Sequence, residues 1–244
     1  MTKKLVAEFL GTLLLVAVVV GSGIMGQNLS TDFGQALLIN TLSTVAALAL
    51  LIMLFGPISG AHFNPVVSFI MLALKKLDAA TFLAYAAVQT AGASAGAVLA
   101  NAMFDLAPLQ ISENVRGGLG TWISEIVATA GLLLVILVFS ARNFSTTQVG
   151  VAVAAWIGSA YLFTASTSFA NPAVTVGRIF SDTFAGIAPE SVLNFVLCQF
   201  AGALLALVIF KTLFSTDAAA DAKAATKSSK SRAKNQNNSL HRGN

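Results

Sequence analysis

The chain has 244 residues and a formal net charge of +4, with 56% hydrophobic and only 10% charged residues. Its mean hydropathy is +0.81. A soluble domain carries about a quarter charged residues, so this composition excludes an ordinary soluble domain and points to a polytopic membrane protein. The positive balance does not imply nucleic acid as a partner. Every Lys and Arg except Arg116 and Arg178 falls at Lys3, Lys4, Lys75, Lys76, Arg142, Lys211 or in the C-terminal tail, a clustering that reads as the positive-inside signal.

Crossing a bilayer takes about 20 apolar residues in helix. Six stretches qualify, near residues 5–25, 35–55, 81–100, 122–140, 149–165 and 192–213. The first is expected to be a retained helix rather than a cleaved leader, because it is long enough to span and contains Glu8. With Lys3 and Lys4 inside, Lys75, Lys76, Arg142 and Lys211 all fall on the same side, so topology and charge agree. Both termini are then cytoplasmic, in a plain inner (plasma) membrane. Cys198, the lone cysteine, lies in an apolar run and reads as a small buried hydrophobe. Residues 215–244 are rich in Ala, Lys, Ser and Asn. They form an expected disordered basic tail after a membrane domain of residues 1–214.

Two connections are unusual. One reads Ser59-Gly60-Ala61-His62-Phe63-Asn64-Pro65-Val66, the other Ser168-Phe169-Ala170-Asn171-Pro172-Ala173-Val174. Asn is a good helix N-cap and Pro suits the first helical position, so each pair starts a helix. The apolar stretches that follow are too short to span. They suit half-helices that re-enter the membrane, and irregular backbone at that depth is tolerated only beside a cavity or inside protein. An internal pore follows.

The chain also repeats itself. Glu8 is followed by Thr12 in the first span, and Glu125 by Thr129 in the fourth. Each half, about 1–118 and 119–214, reads helix, helix, Asn-Pro half-helix, helix. Three spans per half is an odd number, so the halves are inverted and their polar site lies at the midplane. The fold expected is all-α: six transmembrane helices plus two re-entrant half-helices in an inverted repeat. Half-helix N-termini facing each other at midplane repel cations and orient polar oxygens. Each Asn carboxamide can cap its helix and still offer an N–H to a passing solute.

These motifs resemble the aquaporin and aquaglyceroporin, or major intrinsic protein, family over about residues 5–213. The resemblance implies the aquaporin-like fold, a homotetramer with one pore per subunit, no cofactor, and no catalytic or metal-binding residue. It implies a pore midplane of Asn64, Pro65, Val66, Asn171, Pro172 and Ala173. It makes Glu8 and Glu125 structural carboxylates that accept hydrogen bonds from the re-entrant backbone of their own halves. His62 falls at the cytoplasmic pore mouth, and Arg178, one turn beyond Val174, is assigned to the outer mouth or else to the outer interface.

Departures from the family pattern carry the most information. The first motif ends in Val66 where Ala is usual. Directly after the second motif, where the family has Arg in the narrowest constriction, this chain has Val174. The family's spacing carries the other filter positions to Thr44, Ser159 and Ser168, with Gly158 or Ala160 in place of Ser159 if the register shifts by one. Such a filter holds no large aromatic and no cation.

The expected function is a passive channel for small neutral solutes: water plus polyols, urea or neutral metalloid hydroxides such as arsenous acid. Its partners are those solutes and the lipid bilayer. An ordinary water channel with a degenerate filter is the runner-up. An ion-coupled secondary transporter lacks intramembrane ionisable residues beyond the two glutamates, and an intramembrane enzyme lacks a catalytic constellation.

Overall fold

The computed structural model describes residues 1–214, and every regular element in them is helical. The tail assigned to residues 215–244 lies outside them. In chain order the elements are α1 (Thr2–Leu29), α2 (Phe33–Ser59), α3 (Pro65–Ala73), α4 (Ala79–Met103), α5 (Leu119–Ala141), α6 (Thr146–Phe163), α7 (Pro172–Gly177) and α8 (Pro189–Leu213), with a 3-10 turn, Arg178–Phe180, after α7. Six of them are long and apolar enough to cross a membrane. The two shorter ones, α3 and α7, are the half-helices read from the Asn-Pro pairs.

Local sequence sets the ends. Asp32 and Asp78 cap α2 and α4 by accepting from the Gln35 and Thr81 amides, both at 2.8 Å. Hydrogen bonds from Thr81 hold the Asp78 carboxyl below its ordinary range. Ser145 and Gln148 form a capping box at the start of α6. Asn64 and Asn171 cap α3 and α7, each followed by Pro at the first helical position. One boundary differs from expectation. The second span runs on through Pro57 to Ser59, so the proline is carried inside the helix.

The helices group by halves. In the first half α1 packs against α2 and α4, and in the second α5 packs against α6 and α8, while α2 meets α6 across the two. The half-helix α7 lies mainly on α4, and α3 contacts both α4 and α8. Outside, large apolar side chains such as Leu42, Leu50, Leu83, Val151, Leu193 and Leu197 are exposed, as a membrane-embedded surface requires.

Close helix approach rests on matching glycines. A Cβ on Gly92 of α4 would collide with the Phe9 carbonyl of α1, and one on Gly202 of α8 with the Ile126 carbonyl of α5. Small residues let membrane helices pack backbone to backbone. Gly92→Val and Gly202→Val should each destabilise the fold by about 1–3 kcal/mol through overpacking. Gly117→Ala, with nothing near its added carbon, should be neutral. Thermal unfolding in detergent checks this, and equal melting temperatures for all three variants would refute it.

Candidate functional site

The two Asn-Pro loops meet in the interior. Asn64 accepts from the Val66 amide at 3.0 Å and donates its Nδ2 to the Ala170 carbonyl at 2.8 Å. Asn171 accepts from the Ala173 and Val174 amides at 3.0 and 3.3 Å and donates to the Phe63 carbonyl at 2.8 Å. Each Asn thus caps its own half-helix and ties itself to the opposite loop. Every Asn carboxamide carries two N–H donors, so one on each residue is left over.

Behind the loops sit the two carboxylates. Glu8 accepts from the Ser59 hydroxyl (2.6 Å), the His62 and Phe63 amides (2.9 and 2.7 Å) and the Gln89 side chain (2.8 Å). Glu125 accepts from the Phe169 and Ala170 amides, both at 2.9 Å, and from Gln199 at 2.7 Å. The loops need this support. Ala61, Phe63, Ser168 and Ala170 all have positive φ, between 47° and 52°, and such strain costs of order 1–3 kcal/mol per residue. Gln89 and Gln199 also reach Ser68 and Thr175 of the half-helices, at 3.2 and 2.9 Å.

Between the loops and the helices runs a cavity of about 230 Å³, far larger than a packing void. Its walls come from residues four apart: Thr44, Leu48 and Ile52 of α2; Leu132, Ile136 and Ser140 of α5; Val149, Val153, Ile157 and Tyr161 of α6. Four-residue steps lie on one helix face. Leu15 and Val19 of α1 add to the apolar side. Polar groups are concentrated along the loops, through residues 60–64 and 168–171. His62 lines this lumen with its Nδ1 3.0 Å from the Ser68 hydroxyl.

The filter residues divide. Thr44, Ser168 and Val174 line the lumen together, with the Thr44 hydroxyl hydrogen-bonded to that of Tyr161. Ser159 does not join them. Its side chain is exposed and its hydroxyl donates to the Ala155 carbonyl of its own helix at 3.0 Å. At 100° per residue, position 159 lies almost opposite Ile157 and Tyr161, which face inward. Tyr161, two residues on, is the α6 group at this level, and a one-residue shift would not have found it. Arg178 also departs from expectation. It is 2% exposed, lies outside the lumen lining, and packs over the Phe169 ring.

The sequence profile of the major intrinsic protein family matches residues 1–168. The chain is 47% identical over 213 residues to the aquaglyceroporin AqpS of Rhizobium meliloti, covering 87% of this chain and 91% of that one. The chain belongs to the major intrinsic protein family. It is 27% identical to the glycerol uptake facilitator protein-like 6 of Lactiplantibacillus plantarum, covering 88% of this chain and 100% of that one. The X-ray structure of the aquaglyceroporin from Plasmodium falciparum shares the fold, with a TM-score of 0.72 at 20% identity over 89% of this chain and 98% of that one. As a major intrinsic protein with six membrane-crossing helices, the chain is a multi-pass membrane protein.

Within this family member the buried glutamates make a direct prediction. Glu125→Gln replaces one of the two accepting oxygens by a donor, so either the Phe169 or the Ala170 amide loses its acceptor. It should cost about 1–3 kcal/mol for each amide left unsatisfied and lower the yield of folded protein. Glu125→Asp, which keeps the charge, should do less harm. Detergent-solubilised yield and melting temperature measure this, and a Gln variant as stable as the parent would show that the loop does not lean on the carboxylate.

Proposed function

We propose that this chain is a passive channel for water and small neutral solutes, with a wide uncharged filter that admits polyols, urea and neutral metalloid hydroxides such as arsenous acid. The observation that carries the reading is the uncharged lining beside the second loop, where Thr44, Tyr161, Ser168 and Val174 border one lumen. Val174 adds bulk without charge, where the resemblance puts an arginine. With Tyr161 in place of Ser159, the working filter is Thr44, Tyr161, Ser168 and Val174. An apolar wall with polar groups on one side lets a solute exchange hydrogen bonds stepwise while it slides past carbon.

The same reading extends to the whole chain. Residues 1–118 and 119–214 are inverted halves around a midplane of Asn64, Pro65, Val66, Asn171, Pro172 and Ala173. The recurrence of the Glu–loop–Gln network supports this. Lys3, Lys4, Lys75, Lys76, Arg142 and Lys211 fall at one end of the helices if each long helix crosses once, which supports an inner membrane with cytoplasmic termini. The exposed apolar faces leave surface for a homotetramer as well as for lipid.

Swelling of proteoliposomes in water, glycerol, urea and arsenous acid tests the filter. All four should pass, and rejection of everything but water would overturn the wide-filter reading. Val174→Arg should lower glycerol and urea flux by roughly tenfold, equivalent to a barrier of about 1.4 kcal/mol. Ser159→Ala should leave both fluxes unchanged, because its side chain faces away from the lumen. Loss of glycerol flux in Ser159→Ala would put position 159 back in the filter.

A further inference from the structure

Two arginines stand just behind the outer lumen wall. Arg178 follows Val174 by four residues, and its guanidinium carbon lies 3.5 Å from the centre of the Phe169 ring. Arg116, from the loop between α4 and α5, stands over the same ring at 5.2 Å. Consecutive carbonyls of the segment before α8 hold them: Arg178 Nε donates to Ala185, and Arg116 donates to Phe184 and Gly186 at 2.8 and 2.7 Å. Neither guanidinium makes a salt bridge among the described residues; the one carboxylate that acts on both is Glu125, which offsets one of the two positive charges at most. Phe169 itself lines the lumen, and the Tyr161 hydroxyl interacts electrostatically with both guanidiniums.

This arrangement separates charge from width. An arginine at position 174 would fill the lumen as well as repel cations. Here the lumen presents Val174, while two positive charges lie one aromatic side chain away in a low-dielectric surround. The ring does not neutralise them, because cation–π attraction polarises the contact without removing the charge. We infer that Arg178 and Arg116 are the cation-excluding residues of the outer constriction, acting through the Phe169 wall rather than from inside the lumen. The inference rests on the channel reading. It differs from a purely structural role, in which the arginines only pin the segment before α8, because only the electrostatic role makes cation leak depend on these two charges beyond the repulsion from the half-helix ends.

The test uses the full chain in proteoliposomes, with glycerol swelling and proton and potassium leak measured on the same vesicles. A unit charge acting over about 10 Å at an effective dielectric near 20 changes cation partition by roughly tenfold. In Arg116→Gln and in Arg178→Gln the ratio of cation leak to glycerol flux should therefore rise roughly tenfold, with Arg178→Lys closer to the parent ratio. An unchanged ratio in both Gln variants overturns the inference. If those variants do not reconstitute, the parent channel decides it: formate should permeate better than methylammonium, and equal or reversed permeation overturns the proposal. Absence of both water and glycerol flux in the parent would instead refute the channel reading itself.

Discussion

The structure depends on two carboxylates buried where carboxylates are costly. Glu8 and Glu125 exist to hold backbone that would not otherwise lie there. Each loop reverses direction through residues at positive φ, and their amides turn away from any helical partner. Charge-assisted hydrogen bonds of about 1.5–3 kcal/mol each make the reversal tolerable. They fix the loop within reach of the other half, so that Asn64 finds Ala170 and Asn171 finds Phe63. Without the carboxylates the Asn-Pro pairs would still cap helices, but nothing would aim those helices at each other.

The repetition of this device was only partly legible in the sequence. Glu8 with Thr12 and Glu125 with Thr129 stand at equal spacing, and the Asn-Pro pairs are plain. The third member was missed. Gln89-Thr90-Ala91-Gly92-Ala93 and Gln199-Phe200-Ala201-Gly202-Ala203 repeat the same polar residue and the same glycine. Each Gln joins its carboxylate to its half-helix, and each Gly lets that helix close on the one carrying the Glu. Comparing the last spans of the two halves would have exposed it. A glutamine in an apolar helix is a polar group that needs a buried partner, and that was signal enough.

Ser159 failed for a different reason. Counting back from Asn171 assumes that α6 reaches the second loop with a fixed phase. The helix ends at Phe163 and the chain then crosses a turn, with Thr167 at positive φ, before Ser168. Phase inside α6 is set instead by its own apolar period, Val149, Val153, Ile157 and Tyr161. That period was visible in the sequence and continues inward through Tyr161. When a spacing borrowed across a loop conflicts with a periodicity inside a helix, the helix governs, because its 100° step is fixed by backbone hydrogen bonds and the loop's is not.

Arg178 shows what spacing could and could not give. Four residues after Val174 suggested the same face, and a charge there suggested the mouth. The half-helix α7 ends at Gly177 and the chain tightens into a 3-10 turn from Arg178, whose amide still donates to the Val174 carbonyl; the register reaches Arg178, but its side chain turns into the protein rather than to the mouth. A Cβ on Gly177 would collide with Ala93 of α4, which seats this turn deep against the first half. The arginine is thereby aimed at Phe169 and the Ala185 carbonyl rather than at open water. Its burial goes with how closely α7 lies on α4, an approach that Gly177 permits because a side chain there would meet the Ala93 backbone.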